Sequence, residues 1–181
     1  MNFYEKPLSE LTDEEWEQIC MRCGKCCLIK YDEDGVIHFS NQICKFFDLK
    51  KGKCSCYAER FKKIGYTCKK VNLDLLEKEI ELLPPTCAYR CLYEGRELPD
   101  YHPLLTGRID SVVLAKQTVK AMPVFSEDAL AKSFMVLLET AQKNGWSEER
   151  FKQEILLVRE KYQLRWLETY PGNHQKEKPT V

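Results

Sequence analysis

The chain has 181 residues, 44% of them hydrophobic, and its 28 Lys plus Arg balance its 28 Asp plus Glu. That composition suits a folded core and leaves no whole-chain field to draw the protein to nucleic acid or to an anionic membrane. The first ten residues lack a basic start followed by an apolar stretch, and no later run reaches membrane-spanning length, so a cytoplasmic location without membrane contact is expected.

The first predicted element is a helix from about Asp13 to Cys20. Thr12 and Glu15 form a capping box, Leu11 and Trp16 occupy the staple positions, and Asp13, Glu14 and Glu15 suit the positive helix end. Gly24 is expected to turn the chain in the left-handed conformation. Val36 to Phe39, after the Asp32–Gly35 turn, reads as a short strand. From Ile43 to Cys68 the sequence is loop-like, with too little apolar periodicity to order itself.

Asn72 caps a helix predicted from Leu73 to about Leu82, ended by Pro84 and Pro85, and a short helix follows from Cys87 to Glu94. After Gly107 cysteines cease. Ser126 is expected to cap a helix from Glu127 to Asn144 with Leu130, Phe134, Leu137, Leu138 and Ala141 on one stripe; Ser147 caps a second, to about Glu168, with Phe151, Ile155, Val158, Tyr162 and Trp166 at helical spacing. The expected fold is mainly α with irregular loops: a cysteine-rich, metal-organised domain over residues 1–110, a helical pair over 111–170 packed on it, and a disordered tail from 171 to 181.

Chemistry concentrates in the first half. Cys20, Cys23, Cys26 and Cys27 fall within one short run, and Cys44, Cys54, Cys56, Cys68 and Cys87 follow. In a reducing compartment such a set is more often metal-binding than disulfide-bonded. Thiolates suit Zn(II) or iron–sulfur clusters, and nine of them exceed one four-ligand shell. Spacing alone leaves zinc and iron–sulfur both open. Successive side chains diverge, so Cys26 and Cys27 are expected to face two centres, while Cys54 and Cys56, two apart, could point the same way.

His38 reads as a hydrogen-bonded structural residue, His174 as a tail residue, and His102 as a candidate ligand or acid/base group in a loop. Lys50, Lys51, Lys53, Lys62, Lys63, Lys69 and Lys70 alternate with Phe46, Phe47, Tyr57, Phe61 and Tyr66, a pattern seen in nucleic-acid binders, yet charge runs are commonly solvated faces and nucleic-acid binding is not expected. No phosphate loop, dinucleotide fingerprint or zinc-protease helix is present.

The run Leu11–Trp16, Cys20-x-x-Cys-Gly-x-Cys-Cys27, Phe39-x-Asn41, Cys44, Cys54-x-Cys56, Cys68, Leu83-Pro84-x-Thr-Cys-Ala-Tyr-Arg90, Glu94-Gly95, Leu98-Pro99 and His102-Pro-Leu-Leu-Thr-Gly107 closely resembles the YcgN-like bacterial cysteine-cluster proteins, within a wider group of zinc- or iron-chelating Cys-x-x-Cys-x-x-Cys-Cys proteins. The resemblance covers about residues 8 to 107 and does not extend to Cys91 or to the region after Gly107. It implies a cysteine-ligated metal and, through distant relatives that include a flagellin lysine methylase, allows an enzyme.

The expected function is thus metal binding by Cys20, Cys23, Cys26, Cys27, Cys44, Cys54, Cys56, Cys68 and Cys87, with an iron–sulfur cluster or Zn(II), in a redox, sensing or interaction role served by a protein partner. Two alternatives stand beside it. One is a metal- or S-adenosylmethionine-dependent modifying enzyme, with His102 or Glu94 acting near an open coordination position; the other is a zinc module that binds nucleic acid.

Overall fold

A computed structural model describes residues 2–65 and 68–171. Helix α1 spans Asp13–Ile19 and starts as its sequence dictates. The Thr12 hydroxyl accepts the Glu15 amide at 3.2 Å, and the Glu15 carboxylate accepts the Thr12 amide at 3.0 Å. The helix stops at Ile19, one residue short of expectation, and Cys20 is already extended. Cys20 and Cys23 are therefore not stacked on one helix. Gly24 does take the left-handed conformation, at φ +79°.

Strands β1 (Leu28–Glu33) and β2 (Val36–Ile43) form an antiparallel hairpin over Asp34 and Gly35, both at positive φ. The expected short strand is thus one arm of a larger hairpin. Leu28 pairs with Ile43 and Lys30 with Phe39, so β2 bulges between these pairs. The bulge is held by the Ser40 hydroxyl, which donates to the Ile29 carbonyl at 2.9 Å. On its other side β2 pairs in parallel with β5 (Phe125–Ser126) and antiparallel with β6 (Trp166–Pro171). A second, two-stranded sheet joins β3 (Phe47–Asp48) to β4 (Lys53–Cys54).

Helix α2 (Arg60–Lys63) is a single turn. Helix α3 (Leu73–Lys78) carries the expected Asn72 cap but ends early, followed by a 3-10 turn at Ile80–Leu82. Helices α4 (Ala88–Tyr93), α5 (Pro103–Thr106) and α6 (Ser111–Leu114) are short. Helix α7 (Ala129–Asn144) starts after Asp128 rather than Ser126, and α8 (Glu148–Lys161) starts after Ser147 as expected.

Two cores result. The helical one collects Ile19, Leu75, Leu76, Ile80, Leu83, Ala88, Tyr89 and Leu98. Trp16 stacks on Tyr89 with ring centroids 5.0 Å apart, and the Tyr89 hydroxyl donates to the Trp16 carbonyl at 2.8 Å, which locks α1 to α4. The sheet core collects Leu28, Ile37, Phe39, Ile43, Phe47 and Val119. Gly24 links the motif loop to this core. A β-carbon there would lie 2.7 Å from both Phe47 and Val119, so packing and backbone conformation both demand glycine.

The expectation of a mainly α fold is corrected to a mixed one. The four-stranded sheet is built partly from the region read as helix: α8 ends at Lys161, and Trp166 pairs with Ser40 in β6 instead of continuing an apolar helical stripe. That stripe failed because its last member belongs to a different element. Leu137 is the buried residue of α7, Leu138 is exposed, and α8 has no buried residue. Of the tail expected to be disordered, residues 171–181, Pro171 instead ends β6 opposite Val36, and residues 172–181 lie outside the described residues.

Candidate functional site

The motif loop, the β3–β4 hairpin and the segment leading into α4 enclose a cleft of about 570 Å³. Cys20, Cys23, Cys26, Cys27, Cys54 and Cys87 line it, with Phe47, Tyr57 and Tyr89 as aromatic walls and Glu17, Arg22, Asp48, Lys51 and Lys53 as polar groups. None of these elements is long. The loop is shaped instead by backbone hydrogen bonds: Cys27 N–H to Gly24 O at 2.9 Å, Cys44 N–H to Cys27 O at 3.0 Å, and Val119 N–H to Cys23 O at 2.9 Å.

The nine predicted thiols fall into two neighbourhoods. Cys20, Cys23 and Cys87 each feel the charge of Cys26, and Cys20 and Cys87 also pack on the helical core. Cys27 feels Cys44 and packs on the sheet core; Cys44 in turn feels Cys54, and the Cys54 and Cys56 sulfurs lie 3.8 Å apart. Cys68 feels Cys54, Cys44 and Cys26. The hydrogen bond between Cys26 and Cys27 joins the two groups.

Protonation follows the same geometry. Burial pushes the Cys20 thiol up to about 11 and the Cys87 thiol up to about 12, and it raises Cys23 further, each with the Cys26 charge adding to the effect. The Cys27 thiol donates to Cys26, which holds Cys26 low, with Lys30 assisting; Cys27 is raised correspondingly. Cys26 is exposed in the open cleft, whereas Cys56 and Cys91 are buried.

Cations accompany the sulfurs. Arg22 acts on Cys20, Lys30 on Cys26 and Cys27, Lys45 on Cys44, Lys63 on Cys56, and Arg60 on Cys26 and Cys68. Arg60 is held over the Tyr57 and Phe61 rings, 3.8 and 4.4 Å from their centroids, and donates to the Tyr57 carbonyl at 2.6 Å. The Tyr57 hydroxyl donates to the Glu17 carboxylate at 3.0 Å, so α1 and the segment before α2 meet at the cleft.

In donor type these residues fit a thiophilic metal: several thiols line one cleft, with cations beside them. Among the described residues, no three Cys, His, Asp or Glu side chains already surround a common point as ligands would.

His102 is not a site residue. It is fully buried; its Nε2 lies 2.9 Å from the Ile19 carbonyl, and its Nδ1 accepts the Leu104 amide at 3.1 Å. Only the neutral Nε2–H form satisfies both partners, and burial lowers its pKa. The loop position suggested chemistry, but the ring spans two elements as a brace. Glu94 is ion-paired to Arg90 and Arg96 at 2.9 and 2.7 Å and does not line the cleft. His38 stacks on Trp166, with centroids 4.9 Å apart, and its Nε2 lies 3.5 Å from Glu33. Cys91 donates to the Pro85 carbonyl at 3.3 Å, and its principal electrostatic neighbours are Arg96, Glu94 and Arg90 rather than another thiol.

Sequence reading missed Lys30, Arg60, Tyr57 and Glu17. One signal was available: between Cys20 and Lys70 basic residues outnumber acidic ones more than two to one, although the whole chain is neutral.

A protein from Shewanella pealeana is 44% identical over 117 residues, which cover 64% of this chain and 79% of the relative. The chain belongs to the UPF0260 family. A UPF0260 protein of Shewanella sediminis is 42% identical over 123 residues, 66% of this chain and 83% of the relative, and one of Vibrio cholerae is 41% identical over 127 residues, 69% and 86%. No family model matches the chain, and no solved structure matches it. The UPF0260 name states no activity, so the function must be argued from the cleft. Among the described residues no helix is long and apolar enough to cross a membrane.

Proposed function

We propose that this UPF0260 protein is a cysteine-ligated metal-binding protein that holds an iron–sulfur cluster or Zn(II) and serves a redox, sensing or interaction role with a protein partner. The observation that carries this reading is the lining of one cleft by six thiols, flanked by cations. Cys20, Cys23, Cys26 and Cys87 would hold one group; Cys27, Cys44, Cys54, Cys56 and Cys68 supply the ligands of a second. A bound cluster would supply one-electron chemistry, and bound zinc would supply structural order.

The chain's own residues do the rest. Gly24 brings the loop against Phe47 and Val119, Tyr89 and Trp16 fix the helical side, and Arg22, Lys30, Lys45, Arg60 and Lys63 offset thiolate charge. We place the metal domain in residues 1–110, with the 111–170 region joined to it through β5 and β6 on β2. The test is anaerobic purification followed by elemental analysis and a visible spectrum. Brown protein with iron and sulfide identifies a cluster; colourless protein with stoichiometric zinc identifies a structural site. Protein free of both, unable to take up either, removes the reading.

The cleft volume favours one second reading, a modifying enzyme. About 570 Å³ lies within the 300–1,000 Å³ typical of small-molecule sites, so room exists beside the thiols for a substrate or for S-adenosylmethionine. With His102 and Glu94 excluded, Tyr57 and Glu17 are the groups placed for proton chemistry. A change in the metal's spectrum on adding S-adenosylmethionine would support this reading, and an unchanged spectrum would count against it.

A further inference from the structure

Lys30 is the anomalous side chain of the hairpin. It lies on β1, two residues after the core residue Leu28, and its cross-strand partner is the fully buried Phe39. Its ammonium stands 5.1 Å from the Phe39 ring centroid and donates to the carbonyls of Cys26 at 2.8 Å and Leu28 at 3.0 Å. A charge turned toward an apolar core is costly unless partners compensate it, and burial does pull this ammonium toward its neutral form. Two carbonyls and one ring face are partial compensation. The nearby Cys26 thiol favours the protonated amine.

Resting on the metal-binding reading above, we propose that Lys30 is the positioning residue of the Cys26–Cys27 knuckle: it ties the knuckle's backbone to β1 and holds one positive charge beside it. Its two carbonyl bonds, to Cys26 and Leu28, flank Cys27 and fix the backbone from which the two hydrogen-bonded thiols project. The β2 bulge contributes to this placement. Because Lys30 pairs with Phe39 and Leu28 with Ile43, the bulge at Ser40 brings the lysine over a ring rather than over Asn41. Outer-shell groups of this kind commonly change metal affinity by about 10–100-fold.

The experiment compares the full-length wild type with Lys30→Met, Lys30→Gln and Lys30→Arg, folding being checked by circular dichroism. Two readouts are taken. Cobalt(II) affinity is measured by competition against a chelator, with the thiolate-to-cobalt absorption reporting ligand number. Separately, on metal-free protein, the rate of Cys26 and Cys27 alkylation by anionic iodoacetate is divided by the rate with neutral iodoacetamide, a ratio that reports local potential.

The neutral variants are expected to lose about 10–100-fold in cobalt affinity. Their alkylation ratio should fall about three- to fivefold, as one unit charge acting at close range through water requires. Lys30→Arg should keep both within about twofold, since it retains the charge. An unchanged ratio and affinity in a folded neutral variant overturns the proposal, and so does an equal loss in Lys30→Arg. If wild type takes up no cobalt while the ratio still falls in the neutral variants, the metal reading fails and the charge role of Lys30 stands. If both neutral variants fail to fold while Lys30→Arg folds, the charge is what the knuckle requires; if Lys30→Arg also fails, side-chain shape is the requirement and the proposal is overturned.

Discussion

The two cores that border the cleft are built differently. The helical core is braced by contacts independent of any ligand: the Thr12–Glu15 capping box, the Trp16–Tyr89 stack, the Trp16 indole donating to Val71 O at 3.0 Å, and the His102 brace on Ile19. The sheet side is braced well only along β2. Its sulfur-bearing segments are two-residue strands and single turns, and Cys44, Cys54 and Cys68 are only half-buried there. On the proposed reading, a ligand bridging thiols would add order to the sheet side of the cleft.

The largest expected effect breaks the comparison at this point. Removing metal should strip hydrogen-exchange protection from residues 44–65 while α1, α3 and α4 keep theirs. Equal loss on both sides would mean that the helical core also depends on the ligand. Serine at Cys20, Cys23, Cys27 or Cys87 should lower bound metal, read by elemental analysis, whereas Cys91→Ser should retain it.

Next in size, Gly24→Ala should cost about 2–5 kcal/mol in denaturant unfolding, summing roughly 1–2 kcal/mol for a left-handed non-glycine and roughly 1–3 kcal/mol for overpacking against Phe47 and Val119.

A pH test sharpens the helical side. Because burial holds the His102 pKa below its ordinary 6.5, the unfolded chain binds that proton more tightly than the folded one. The stability His102 contributes is whole above pH 6.5 and declines as pH falls below it, by up to about 1.4 kcal/mol per pH unit, until the folded pKa is reached. His102→Gln should remove that slope, measured as unfolding free energy between pH 7 and pH 5. A slope retained in the variant would place the titration in another group.

The smallest expected effect lies at the hairpin of α7 and α8. Leu156 and Leu157 are 63% and 59% exposed, so replacing both by Lys should change stability by less than about 0.5 kcal/mol and leave metal content untouched. A larger loss would show that α8 is covered in solution.

Legibility in the sequence divides along similar lines. The start of α1, the Gly24 turn, the Asn72 cap and the Ser147 cap of α8 were readable because capping residues and glycine act within one turn of the chain, whereas the start of α7 was misplaced at Ser126. Strand β6 was not. Trp166 falls at helical spacing after Val158 and Tyr162, and neither glycine nor proline marks the stop at Lys161. Its pairing with β2 is decided by residues more than a hundred positions away. The thiols were legible as a set, but the hydrogen bond that joins Cys26 to Cys27 was not, because successive side chains are expected to point apart. Lys30 was illegible for a related reason: a lysine in a strand reads as a solvated charge, and only the β2 bulge places it over Phe39.

Strand β2 carries a consequence in time as well as in space. Its partners are β1, made directly before it, and β5 and β6, at residues 125–126 and 166–171, both made after every cysteine in the chain. During synthesis the thiols from Cys20 to Cys87 all emerge while one side of β2 is still open. Ligand capture can therefore run ahead of sheet closure, on a nascent chain whose sulfur-bearing loops are still free to rearrange, and β6 then seals a strand whose neighbouring loop has already been set.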